Sequence, residues 1–153
     1  MEAQTCTVWT QADRQQLPRL VFVNKMDRAD ADFEASVQSL RSRLDAFPVA
    51  VQEPLKDRGT KGFTALLDLV HLRLLRWDGR PGPNVASEPL DGHLLELAAE
   101  RRLQLVEQLA DLDESLAEQV IRTESLAAIT PKELTAALRR ATVAQVPNLI
   151  FFI

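Results

Sequence analysis

Asn24, Lys25 and Asp27 fall together in the tetrapeptide Asn24-Lys25-Met26-Asp27, directly after the apolar run Leu20-Val21-Phe22-Val23. At the end of a strand these three polar side chains can converge on one small planar ligand, because open α/β sheets bind ligands where the carboxyl ends of their strands run out. The chemistry they suit is that of guanine. Its ring N1–H and exocyclic 2-amine share one edge, and an ionised Asp27 accepts from both, a charge-assisted bidentate pair of the stronger kind. Adenine presents an acceptor at N1 and has no 2-amine, so Asp27 repels it. A site built to hydrogen-bond a polar edge rejects the analogue lacking it by roughly four orders of magnitude or more. Asn24 would use its carboxamide on the base's other polar edge or to hold a neighbouring loop. Lys25 would lay its methylene stem along the base with its ammonium in water. The competing reading is a strand-to-loop turn that is merely polar, since Asn and Asp are common turn formers.

The elements that must position these residues are legible around them. The stretch from Arg19 to Val23 lacks polar alternation and predicts a strand buried on both faces, as in parallel sheets. A helix is expected over residues 3–16, with Val8, Trp9 and Ala12 near one face, Trp9 packing as core, and Leu17-Pro18 ending it. Beyond Asp27, Asp30 is the expected N-cap of a helix whose apolar stripe is Phe33, Val37, Leu40 and Leu44. Helix, strand, loop and helix in that order form part of a doubly wound α/β layer.

Further along, Pro48 to Gln52 reads as a short strand. Residues 56–62 contain two glycines but no Gly-Lys-Ser/Thr ending and no strong preceding strand, so they predict an exposed turn rather than a phosphate loop. Residues 63–77 are leucine-rich and fit neither period cleanly; their propensity favours helix. Residues 78–83 break regular structure. Leu95, Ala98, Ala99, Arg102, Val106 and Leu109 mark one face of a helix over 92–110, and another helix follows over about 112–123. Asp111, Asp113 and Glu114 lack the alternation and glycine of a calcium loop and read as a solvated helix junction. Thr130-Pro131-Lys132-Glu133 predicts a helix start with a capping box, followed by the apolar face Leu134, Ala137, Leu138 and Ala141. The apolar segment from Leu149 to Ile153 is a second strand candidate; the chain stops in it, which points to a domain cut short.

Composition narrows the classes. The 153 residues suit one domain, and 46% apolar with 26% charged residues is the mix of a soluble globular protein. A net charge of −4 argues against broad electrostatic binding to nucleic acid, DNA included, while leaving room for a local patch to dock on a ribonucleoprotein. The lone Cys6 is expected as a small buried side chain. His71 and His93 are isolated and read as ordinary side chains, so no metal ligand set is expected. No apolar stretch approaches a membrane span, and the N-terminal residues resemble no targeting segment.

Three stretches carry a family resemblance: Glu2-Ala3-Gln4-Thr5, Val8-Trp9-Thr10-Gln11-Ala12-Asp13, and the run from Pro18 through Asn24-Lys25-Met26-Asp27 to Arg28. Together they resemble the GTP-binding domain of the elongation factor G family, at the helix and strand carrying its fourth guanine-nucleotide box. The first stretch and the run from Val106 to Glu114 lean toward the family's mitochondrial branch, which works in ribosome recycling. The resemblance extends through about residue 147. It implies an α/β fold: a partial P-loop GTPase domain, a parallel sheet with flanking helices, plus an α+β insert lobe. The implied division is 1–47 as the C-terminal part of the GTPase core, 48–145 as the insert lobe, and 146–153 as a truncated final strand. It favours two short antiparallel strands over 63–77.

It further implies GTP and GDP as ligands, read by Asn24, Lys25 and Asp27. Mg²⁺ would be held by residues outside this chain, and the partners would be the mitochondrial ribosome and a ribosome recycling factor in the mitochondrial matrix. The family's phosphate loop, its switches and its Ser-Ala fifth box have no counterpart in the 153 residues. Because phosphoryl transfer depends on the first two of these, the chain alone is expected to be inactive. The alternatives are a translocating elongation factor G fragment, a non-enzymatic module, or a helical protein with an incidental Asn-Lys-Met-Asp.

Overall fold

The computed structural model describes residues 3–55, 64–77, 85–144 and 149–152, with side chains for all of these except Ala3 and residues 149–152. The turns expected over 56–62 and 78–83, and Val146-Pro147, lie outside the described residues.

Helix α1 (Ala3–Arg14) precedes strand β1 (Arg19–Val21), and α2 (Phe33–Leu44) precedes β2 (Phe47–Ala50). Strands β3 (Gln52–Leu55), β4 (Ala65–Asp68), β5 (Arg73–Trp77) and β6 (Val85–Pro89) follow. Then come α3 (Gly92–Ala110), α4 (Glu114–Thr123), a single 3-10 turn at Leu126–Ala128, α5 (Pro131–Val143) and β7 (Leu149–Phe152). One sheet is parallel in the order β1-β7-β2, so the strand latest in sequence sits between the first two. Phe151 is the register partner of both Leu20 and Val49. The other sheet is an antiparallel meander, β3-β4-β5-β6.

Each sheet has its own core. Trp9, Val37, Leu40 and Ala46 are buried against Val21, Val23 and Ala50, so α1 and α2 cover one face of the parallel sheet. Trp9 is thus core, as expected, and Arg19 lies over its ring at 4.4 Å from the centroid while also pairing with Asp13. The larger core joins Ala65, Leu67 and Leu74 of the meander to Ala98, Leu105, Val106 and Leu109 of α3, Leu116 of α4 and Leu134 of α5. Val49 of β2 belongs to this second cluster, which binds the two halves together.

Several local expectations are corrected. The strand at Arg19 is not buried on both faces: Leu20 and Phe22 are 63% and 68% exposed. Among the described residues β1 is an edge strand, and helices cover only the Val21–Val23 side. The strand expected from Pro48 to Gln52 is two strands broken at Val51, because the chain leaves one sheet there and enters the other. The N-cap of α2 is Asp32, not Asp30: its Oδ1 accepts from the Ala35 amide at 2.9 Å. Cys6 is exposed, not buried. On α3 the expected face holds for Ala98, Arg102, Val106 and Leu109, whereas Leu95, one turn from the helix start, is exposed. The junction at Asp111–Glu114 is not wholly solvated: Asp113 is buried, caps α4 at the Leu116 amide and pairs with Arg140. The capping box at Thr130 and Glu133 forms as read.

Residues 65–68 and 73–77 are strands, so tertiary pairing overrides the helix propensity of their leucines. Asp68 is the device that turns the chain between them. Its Oδ1 accepts from the amides of Val70 (3.0 Å) and His71 (3.1 Å), and its Oδ2 accepts from Arg73 Nε at 2.7 Å. Leu72, at φ 53°, completes the reversal. Arg102 reaches across from α3 to the carbonyls of Leu69, Val70 and Ile129, which fixes the turn to the helical layer. Strand β6 had no sequence signal; all five of its residues are exposed, as an edge tolerates.

Candidate functional site

Beyond β1 the chain continues through Phe22 and Val23, with Val23 packed into the smaller core. Lys25 then takes a left-handed conformation at φ 63°, and the Asn24 carboxamide oxygen accepts from the Lys25 amide at 2.8 Å. The Arg28 amide closes back onto the Lys25 carbonyl at 3.2 Å. Met26 is buried and anchors the turn, which leaves Asn24, Lys25 and Asp27 on its more open side. All three therefore stand at the carboxyl end of β1. Asn24 is already committed in part: its oxygen accepts from the amide of the next residue, inside its own turn and not in a neighbouring loop.

The three residues line one cavity of about 150 Å³. Its apolar walls are Phe22, Val23, Met26, Phe33, Pro54 and Leu66, and its polar groups are Asn24, Lys25, Asp27 and Gln52. Ligand pockets have this make-up, apolar walls with a few convergent polar groups, but usually run to about 300–1,000 Å³. A cavity of this size takes one ring system. Among the described residues, the Asp27 carboxylate and the Lys25 ammonium have no hydrogen-bonding or ionic partner, so both remain available to a ligand. The carboxylate fits the paired donors of guanine. No group of three or more His, Cys, Asp or Glu side chains among the described residues could hold a metal ion.

Gln52 is the polar wall residue that no local sequence signal marks. It opens β3, across the chain from Asp27, and no short-range pattern links the two. Strand alternation sends its neighbour Glu53 the other way, into a second cavity of about 140 Å³ bordered by Glu34, Arg41, Arg101 and Gln104. There Arg101 Nε stands 3.5 Å from Glu53 Oε2. Burial pushes the Glu53 carboxyl up, Arg101 opposes this, and Glu34 adds to it.

A parallel sheet covered by helices on one face, with Asn24, Lys25 and Asp27 beyond the carboxyl end of β1, is an α/β arrangement of the kind that binds ligands where its strands run out. The chain belongs to the family of the elongation factor Tu GTP binding domain, whose model matches residues 1–147. Over 149 residues it is 47% identical to "Ribosome-releasing factor 2, mitochondrial" of Drosophila melanogaster and 46% identical to the protein of the same name in Drosophila erecta. These matches cover 95% of this chain and 20% of each relative, so the chain spans a small part of the curated relatives it matches. A solved crystal structure of a Thermus thermophilus protein superposes with a TM-score of 0.77 at 25% identity, over 99% of this chain and 21% of that one. The fold, with its mix of helices and antiparallel strands, is like that of elongation factor GTP binding domains.

Proposed function

We propose that this chain is the base-reading part of a translational GTPase that disassembles ribosomes after termination in mitochondria. One observation carries the chemical half of this reading: the Asp27 carboxylate lines a ring-sized cavity at the carboxyl end of β1 with no partner among the described residues. Asp27 accepts from guanine N1–H and the 2-amine, Lys25 covers a face of the base with its stem, and Asn24 sets the turn that presents them. The biological half rests on the two ribosome-releasing relatives, whose names favour recycling over translocation. On this reading residues 1–47 belong to the GTPase core and 48–145 to an α+β insert lobe, except that β2 (Phe47–Ala50) pairs with β7 (Leu149–Phe152) in the core sheet, which moves the start of the lobe past Ala50. The ligands of the whole protein are GTP and GDP with Mg²⁺. Its partners are the mitochondrial ribosome and a recycling factor, and its site of action is the matrix.

The test is a swap of base preference. Asp27→Asn turns an acceptor pair into one acceptor and one donor, which suits xanthine, whose 2-carbonyl accepts from the new amide. Guanosine should bind the parent chain better than xanthosine, and Asp27→Asn should reverse the order. An unchanged order would remove Asp27 as the base reader. No Gly-Lys-Ser/Thr phosphate loop occurs in the 153 residues, so the chain alone should hydrolyse no GTP above a no-protein control; turnover would overturn that assignment.

A further inference from the structure

We propose that Gln52 is a specificity-determining residue of the same cavity: its carboxamide oxygen takes the hydrogen of guanine's 2-amine that Asp27 leaves free. This rests on the base-reading role assigned above to Asp27. The geometry comes from β3. Gln52 and Pro54, two residues apart on a strand, both line the cavity, while Glu53 turns to the opposite side and meets Arg101. The backbone of Gln52 is held firmly. It is the register partner of Asp68, which is itself locked to Arg73 and to the amides of Val70 and His71, and the neighbouring Val51 carbonyl accepts from the Leu69 amide at 3.1 Å.

The chemistry comes from an unpaired atom. Gln52 Oε1 is buried and has no hydrogen-bond partner. Trp9 Nε1, Arg101 Nε and Gln119 Oε1 share that state, but of these only Gln52 lines the cavity that holds Asp27. A buried acceptor left unmade is unfavourable, so a donor arriving in the cavity relieves it. The amide's last torsion is a broad, roughly two-fold rotor, so the oxygen can turn to a ligand without moving the strand. Guanine's 2-amine has two hydrogens. Asp27 uses one together with N1–H, and the other needs an acceptor from a second direction. Hypoxanthine presents the same N1–H and lacks the amine altogether, so it cannot use Gln52.

The experiment titrates the isotope-labelled full chain with guanosine and with inosine, read by amide NMR shifts, in the parent and in Gln52→Leu, Gln52→Met and Gln52→Glu. Removing the acceptor in Gln52→Leu should weaken guanosine about three- to tenfold, the span of one net hydrogen bond, and leave inosine unchanged. Gln52→Met, closer in shape, should repeat this if the leucine variant is misfolded, and Gln52→Glu should keep the guanosine preference. Equal weakening of both nucleosides, or of neither, would overturn the proposal. So would a parent chain that binds the two nucleosides alike. The Asp27→Asn swap separates the two claims: if it reverses guanosine and xanthosine while Gln52→Met changes nothing, only the Gln52 role fails.

Discussion

Arg140 of α5 grips Asp113 through both carboxylate oxygens, Nε to Oδ2 at 2.8 Å and Nη2 to Oδ1 at 2.7 Å, while Asp113 also caps α4 at the Leu116 amide. One buried carboxylate therefore starts one helix and fastens the next. Asp113→Ala should lose the cap, about 1 kcal/mol, and the charged pair. Arg140 is half-exposed, so the pair adds about 1–2 kcal/mol at most rather than the value of a fully buried one. Urea unfolding should show a total loss near 2–3 kcal/mol for Asp113→Ala and less for Arg140→Leu, which keeps the cap. Equal losses in the two variants would mean that the cap contributes nothing.

Stability should fall in acid through two aspartates. The Arg140 hydrogen bond is the main reason that Asp113's carboxyl lies below the usual carboxylate range, with the Leu116 amide helping against burial. Burial alone would raise Asp68, but the bonds from Arg73 and His71 outweigh it and hold it low as well. A carboxyl depressed in the folded state contributes stability that is present above its ordinary range and lost as pH falls through the folded value. Unfolding free energy should therefore drop below about pH 4, and Asp68→Asn should flatten part of that slope. Glu53 has the opposite sign. Its raised carboxyl favours the folded state at low pH, and that contribution is lost as pH rises through the raised value. Glu53→Gln should remove this opposing slope; chemical denaturation across pH 3–7, roughly the span in which these groups titrate, checks both.

Arg102 is buried on the apolar face of α3 with its guanidinium on three backbone carbonyls, those of Leu69, Val70 and Ile129. Burial pushes its pKa down and the Asp68 carboxylate opposes that. Arg102→Leu should cost about 3 kcal/mol or more, because it orphans carbonyls in the β4–β5 turn and before α5 at once. Arg102→Lys should rescue little, since an ammonium lacks the planar fork that spans separate acceptors. Thermal unfolding of the two variants decides this, and a lysine variant as stable as the parent would contradict the clamp.

Lys25 holds a left-handed backbone, unfavourable by about 1–2 kcal/mol for a residue with a Cβ. Lys25→Gly should leave stability within about 0.5 kcal/mol of the parent or raise it, while Lys25→Val should lower it by about 1–2 kcal/mol. On the proposed base-reading role, guanosine affinity should fall in both, because both lose the lysine stem. A destabilised glycine variant would show that the lysine side chain, not the backbone, holds the turn.

The helices were the most legible part of this chain because their signals are local. Phe33, Val37, Leu40 and Leu44 define the α2 stripe by spacing alone, and Thr130-Pro131-Lys132-Glu133 starts α5 with a cap that forms as read. The two ends of the candidate site differed in this respect. Asn24, Lys25 and Asp27 stand within four consecutive positions, so their types and spacing single them out without any knowledge of the fold. Gln52 joins them only because β3 folds back past the end of β1. The leucines of 65–77 carried no usable period, and their conformation was settled by pairing with β3 and β6 and by the distant Arg102 clamp, together with the local Asp68 knot.

What the order of residues determined by itself was chemistry at short range: the Asn24-Lys25-Met26-Asp27 tetrapeptide after an apolar strand, the Thr130 capping box, and kinship with a GTP-binding family. Only the tertiary structure decided which side of β1 is covered, that Asp113 and Arg102 work as buried ties, and that Asp27 and Gln52 share a cavity. Burial and pairing depend on which segments meet, and that is a property of the packed chain, which no window of neighbouring residues contains.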